Sequence, residues 1–157
     1  MITQFQIYLT FENIYLWTNI IIFPIWVMLI FIPNIRITQI ITNSVVIPLI
    51  LACAYSYTIY QTILLDDSII DILKLYFRLD NLYTVFANES FLLFFWLHFV
   101  TVNIFLGSWV ANDANRYMIS KKIVALPLIL IFFSGPVGLV LYWLVRIFYA
   151  KKLGFYD

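Results

Sequence analysis

His98 is the only histidine in the 157-residue chain, and it stands near the middle of an uncharged run, Ser90–Val110. An imidazole is the one side chain that ordinarily gains or loses a proton near neutral pH. At bilayer depth an ionisable group costs a few kcal/mol without a partner, which makes it a candidate for chemistry. On a helix turning about 100° per residue, Thr101, Phe105, Trp109, Asn112 and Arg116 share its face, while Asn103 and Gly107 lie opposite. Asp113 is fifteen residues on, about 22 Å along the axis, so one helix cannot join the two in a His–Asp dyad. A partner has to come from another element. Tyr57, Tyr60 or Gln61 in an earlier run and Ser134 in a later one are the expected sources. The bland alternative is a hydrogen-bonded packing histidine. Cys53, Ser56, Tyr57, Tyr60 and Gln61 recur at i, i+3, i+4, i+7 and i+8, a polar stripe on an otherwise apolar helix. Such a stripe serves either to join helices or to line a pocket for a mostly apolar ligand. Gln61, Thr101, Asn103, Trp109 and Ser134 are the candidate ligand contacts.

The elements that position these residues are four uncharged runs. They are Ile14–Ile32, Val45–Leu65, Ser90–Val110 and Ile123–Val145, of 19, 21, 21 and 23 residues. About 18 or more apolar residues reach across a bilayer core about 30 Å thick. The runs predict a four-helix transmembrane bundle, all-α, forming one integral membrane domain over 1–157 with both termini on one side. Glu12 stands where a signal peptide would carry a basic segment, so the first run is expected as a retained helix. Between the second and third runs, residues 67–83 carry Ile69, Leu73, Tyr76 and Tyr83 on one face and Asp67, Asp71, Lys74 and Arg78 on another. This spacing predicts an amphipathic helix lying in the membrane interface. Gly107, Gly135 and Gly138 are expected to let helix backbones approach closely, and Pro136 to kink the fourth span.

Composition agrees. The chain is 64% hydrophobic and 11% charged, against about 25% charged residues in a soluble domain. A net charge of +1 excludes a basic nucleic-acid surface of the usual kind. The single Cys53 forms neither an internal disulfide nor a cysteine metal cage. No histidine pair, phosphate-cradling glycine loop, serine elbow or row of intramembrane carboxylates is present, so neither cofactor nor metal is expected.

Two stretches carry a resemblance. His98-Phe-Val-Thr-Val-Asn103-Ile-Phe-Leu-Gly107-Ser-Trp109-Val-Ala-Asn-Asp113-Ala and Gly135-Pro136-Val137-Gly138-Leu139-Val140-Leu141-Tyr142 resemble the abscisic-acid-deficient-4-like family of membrane proteins. Pro24-x-Trp26, Pro33 and the uncharged second run extend the likeness more loosely to the first half. Plant members are implicated in converting violaxanthin to neoxanthin. His98, Gly107, Asp113, Gly135, Pro136 and Gly138 match the pattern. Asn103 departs from it, since an aspartate is usual there, and asparagine keeps the shape without taking a proton.

The resemblance implies an integral, multi-pass protein of a bacterial inner or organellar membrane, acting in carotenoid or isoprenoid-lipid metabolism. The implied chemistry is a redox-neutral epoxide or polyene isomerisation, needing one base and one acid. His98 would be one and Tyr57 or Tyr60 the other. The alternative is a non-catalytic protein that binds or assembles a pigment, lipid or partner subunit. Membrane lipid and a carotenoid or other apolar ligand are the expected contacts, with no nucleic acid.

Overall fold

The computed structural model describes residues 10–44, 46–60 and 76–151. Among them all regular structure is helical: α1 (Phe11–Phe31), α2 (Arg36–Asn43), α3 (Val46–Ile59), α4 (Leu79–Phe86), α5 (Glu89–Arg116), α6 (Lys121–Ser134) and α7 (Pro136–Ala150). Two of these, α1 with 21 residues and α5 with 28, are long and apolar enough to cross a membrane. They correspond to the first and third runs.

Local chemistry sets the helix ends. The Thr10 hydroxyl accepts a hydrogen bond from the Asn13 amide at 3.3 Å, capping α1, and Glu12 complements its N-terminal dipole. At the start of α5 the Asn88 carboxamide oxygen accepts from the Ser90 amide at 3.0 Å and the Ser90 hydroxyl at 2.6 Å. Pro33 follows the end of α1, and the Thr38 hydroxyl, almost fully buried, donates to the Ile32 carbonyl at 2.9 Å. That bond ties α2 back to the end of α1.

The fourth run corrects the expectation of one kinked span. It is two antiparallel helices, α6 and α7, joined by Gly135 alone. Gly135 has φ +38° and ψ −80°, a backbone region that suits glycine, and Pro136 opens α7 where its missing N–H costs nothing. The chain therefore reverses rather than bends. A methyl on Gly138 would meet the Ile131 amide nitrogen, and the Pro127 carbonyl oxygen at 2.6 Å. Contact between residues eleven apart in sequence is the mark of a hairpin, and Gly138 is what lets its arms close.

The second run is helical over Val46–Ile59. Of the interfacial helix expected over 67–83, residues 67–75, like Gln61, lie outside the described residues. Within the described part the chain enters α4 at Leu79, and that helix has no buried residue.

Two compact units are resolved: Met1–Ile21 with Pro48–Val100, and Ile22–Ile47 with Thr101–Asp157. The first is centred on Ile14, Leu93 and Leu97, with Phe11, Ala54, Tyr55 and Tyr57 against them. In the second, buried Trp26 lies against Gly107, where an added methyl would be 2.7 Å from the indole. The Trp26 ring also meets Phe132 edge-on at 5.4 Å. Gly107 and Gly138 thus sit at helix contacts, as their size suggests.

Candidate functional site

The second unit holds a buried polar cluster. Asp113 lies near the end of α5, and Tyr142 and Arg146 lie one turn apart on α7. The Tyr142 hydroxyl donates to Asp113 Oδ2 at 2.7 Å, and Arg146 Nε donates to the same oxygen at 2.8 Å. Arg146 Nη2 donates to the Tyr117 hydroxyl at 3.3 Å, and its guanidinium carbon stands 5.0 Å from that ring's centroid. The Trp109 ring closes the group, edge-on to Tyr142 at 5.9 Å. Arg146 is 1% exposed and Tyr142 0%. Arginine keeps its charge when buried, so the carboxylate that pairs with it is committed to that role. The cluster ties α7 to α5; it is not a free base. The separate residues were visible in the sequence, but their convergence was not. The available signal was a pair of i, i+4 spacings, Asp113/Tyr117 and Tyr142/Arg146, each of which puts two polar groups on one helix face.

Asn103 lies at the head of the hairpin in the same unit. It is 4% exposed. A methyl on Gly135 would come within 2.5 Å of its Oδ1 and 3.9 Å of its Nδ2. That Nδ2 is buried with no hydrogen-bond acceptor among the described residues. Ser134, next to the turn, donates to the Leu130 carbonyl of its own helix at 3.2 Å. Of the candidate ligand contacts, Asn103 and Ser134 are therefore placed at the hairpin head, Trp109 belongs to the Asp113 cluster, and Thr101 is half-buried on α5.

The first unit holds the other candidates, and here the expected inward histidine is corrected. His98 is exposed on the surface of its unit, its ring 6.1 Å from that of Tyr55, which stacks on Phe94 at 4.6 Å. The physical reason is competition for the inner face of α5. Leu93, Leu97 and Val100 fill it, and His98, about 100° beyond Leu97, turns outward. Tyr57 is half-buried against the Ile14–Leu93–Leu97 core, while Tyr60, Cys53 and Ser56 are exposed. Within the described residues the α3 stripe does not converge with His98 on an enclosed site.

What the first unit does contain is a cleft of about 520 Å³ between the beginnings of α1 and α5. Phe11, Tyr15, Phe86, Phe95 and Trp96 supply aromatic walls, and Glu12 and Glu89 supply carboxylates. The Tyr15 and Trp96 rings meet at 5.8 Å. Trp96 Nε1 is buried with no acceptor among the described residues. Such walls suit an apolar ring or polyene, and the carboxylates can accept hydrogen bonds from hydroxyl groups. No periodic pattern marks this cleft, because its aromatic residues come from three separate helices. No group of three or more metal-ligating side chains occurs among the described residues.

Neither curated proteins nor solved structures match the chain. A family model described as ABA DEFICIENT 4-like matches residues 13–142. That range runs from Asn13 in α1 to Tyr142 of α7, and so includes the cleft's Tyr15 and Glu89, the Asp113 and Tyr142 members of the buried cluster and the hairpin head, with Glu12 and Arg146 just outside it; the chain belongs to the ABA DEFICIENT 4-like family.

Proposed function

We propose that this protein is a multi-pass integral membrane protein that binds a carotenoid or related isoprenoid lipid and takes part in its metabolism. The observation that carries the reading is the aromatic cleft of the first unit. A carotenoid presents a bulky hydrocarbon ring that often bears a hydroxyl. The ring suits the walls formed by Phe11, Tyr15, Phe86, Phe95 and Trp96, and a hydroxyl suits Glu12 or Glu89. Membership of the ABA DEFICIENT 4-like family supplies the ligand class. The apolar helices α1 and α5 support the membrane setting.

A second reading makes the protein an isomerase, and the two carboxylates favour it. Converting an epoxide to an allenic alcohol is redox-neutral. A base removes one carbon-bound proton, the epoxide C–O bond breaks, and an acid protonates the released oxygen. Glu12 and Glu89 share one apolar cleft and are groups able to exchange protons. His98, exposed beside Tyr55, would act only on a molecule approaching from the surface of the unit.

Expression in a host that makes epoxidised carotenoids, followed by detergent purification, tests both readings. Bound pigment is expected to survive purification and to quench Trp96 fluorescence. Leu92→Trp, which fills the cleft from an exposed wall position, is expected to lose it. Pigment retention no greater than that of an unrelated membrane protein would overturn the binding reading. Conversion of the host's epoxide that disappears in Glu12→Gln or Glu89→Gln would select the enzyme, and unchanged pigment would select the holder.

A further inference from the structure

We infer that the α5–α6 turn of the second unit is a docking surface for the headgroups of anionic phospholipids. Arg116 ends α5, Lys121 and Lys122 open α6, and Lys151 caps α7. The hairpin is antiparallel, so Lys151 returns to the end at which Lys121 begins. All four side chains are exposed. The described residues of this unit contain one carboxylate, Asp113, and buried Arg146 already holds it. Among those residues the four exposed cations therefore have no carboxylate to pair with. The Arg116 guanidinium carbon stands 5.9 Å from the centroid of the Tyr117 ring, over which Arg146 also lies at 5.0 Å. Like charges gathered without a counter-charge repel one another, and an anion at that end relieves the repulsion.

The second observation concerns the backbone of the same turn. Met118 has φ +52°, in the left-handed region where glycine sits with less strain. The turn is closed by the Met118 N–H donating to the Asn115 carbonyl at 3.2 Å and the Ile119 N–H donating to the Ala114 carbonyl at 2.9 Å. Ile119 is buried, but the Met118 side chain is 89% exposed. A long apolar side chain that touches almost nothing of its own chain, at a place better suited to glycine, is positioned to touch something outside it. A partner for this surface has to offer negative charge and an apolar layer together. An anionic lipid does so: its phosphate meets the cations, and Met118 enters the acyl boundary beneath. A free phosphate or a dissolved acidic segment offers the charge alone. The apolar helices α5 and α7 end here, at headgroup level in the membrane setting proposed above. The inference rests on that setting, but on neither the cleft nor its pigment.

The test uses the whole chain in a non-ionic detergent, with binding of dioctanoyl phosphatidylglycerol and dioctanoyl phosphatidylcholine measured by native mass spectrometry. Phosphatidylglycerol is expected to bind saturably, more tightly than phosphatidylcholine, and to weaken as salt is raised. Changing Lys121→Gln and Lys122→Gln together is expected to weaken it about thirtyfold, the equivalent of about 1 kcal/mol for each lysine. Arg78→Gln removes an exposed cation of the first unit and is expected to leave the affinity unchanged. Met118→Gly relieves the turn and removes the anchor, so it is expected to raise the unfolding midpoint while weakening lipid binding; a merely structural residue would not move the two in opposite senses. Glycerol phosphate and polyglutamate, which carry charge without acyl chains, are expected not to displace the lipid. Equal affinity for the two lipids, undiminished binding by the double lysine variant or by Met118→Gly, or an equal loss in Arg78→Gln would each overturn the inference. So would displacement by glycerol phosphate, which would make this a free-anion site, or by polyglutamate, which would make it a surface for an acidic protein.

Discussion

Removing the Asp113 carboxylate is the most discriminating perturbation of the second unit. Its magnitude follows from burial. Exposed ion pairs contribute about 0–1 kcal/mol because water screens them, but here the side chains of Arg146 and Asp113 are only 2% and 8% exposed. Asp113→Ala would leave a buried guanidinium without the carboxylate that balances its charge and would deprive the Tyr142 hydroxyl of its acceptor. Breaking a buried pair from one side costs about 3–5 kcal/mol, and this is the expected loss. Tyr142→Phe removes one hydrogen bond to a charged group and is expected to cost about 1.5–3 kcal/mol. The double change Asp113→Leu with Arg146→Met removes both charges and is expected to recover most of the loss, since the penalty arises from the stranded charge rather than the missing pair. Unfolding in a graded denaturing detergent, followed by tryptophan fluorescence, reads wild type, Asp113→Ala, Asp113→Leu, Tyr142→Phe and the double variant. An Asp113→Ala midpoint equal to wild type, or a double variant as weak as Asp113→Leu alone, would refute the reasoning.

Gly138→Ala sets a methyl against the Pro127 carbonyl and the Ile131 backbone, neither of which can swing aside. It is expected to cost about 1–3 kcal/mol. Gly107→Ala presses on the Trp26 ring, a side chain with some freedom to shift, and is expected to cost less; the reverse order in the same unfolding assay would contradict the packing. His98→Gln changes an exposed side chain and is expected to leave the midpoint within about 0.5 kcal/mol of wild type, whereas a large loss would mean that His98 is buried by something other than the described residues. In membrane vesicles, with Cys53 replaced by alanine, Lys121→Cys and Lys151→Cys are expected to react with an impermeant maleimide from the same side, because a hairpin returns its arms to one end. Labelling from opposite sides would restore a single fourth span.

Hydrophobic length alone announced α1 and α5, since an uncharged run of that extent has few other uses. The same criterion misread Ile123–Val145. Apolar length cannot distinguish one long helix from two short ones, and Gly135-Pro136 is compatible with a kink or a reversal until φ is known. The glycine contacts were legible because a residue without a side chain is informative wherever helices pack. His98 was harder to place: periodicity names the residues that share its face, but not which face the core takes. That choice went to Leu93, Leu97 and Val100, whose burial outweighs one imidazole. The Asp113–Tyr142–Arg146 cluster depends on α7 folding back along α5, so no reading that kept the fourth run straight could have assembled it.

The hairpin also bears on which way the protein faces. With 14 and 15 residues, its arms reach about 21–23 Å, less than a bilayer core of about 30 Å. On the membrane reading, both arms enter and leave by the same surface. Arg116, Lys121, Lys122, Arg146 and Lys151 then gather at one end of the second unit, where a straight fourth span would have divided them between two compartments. Basic residues beside membrane segments are retained on the cytoplasmic side during insertion and are drawn to its anionic lipids. On the same membrane reading, the single-residue turn at Gly135 leaves these five basic side chains at one surface, and retention of basic residues would turn that surface toward the cytoplasm.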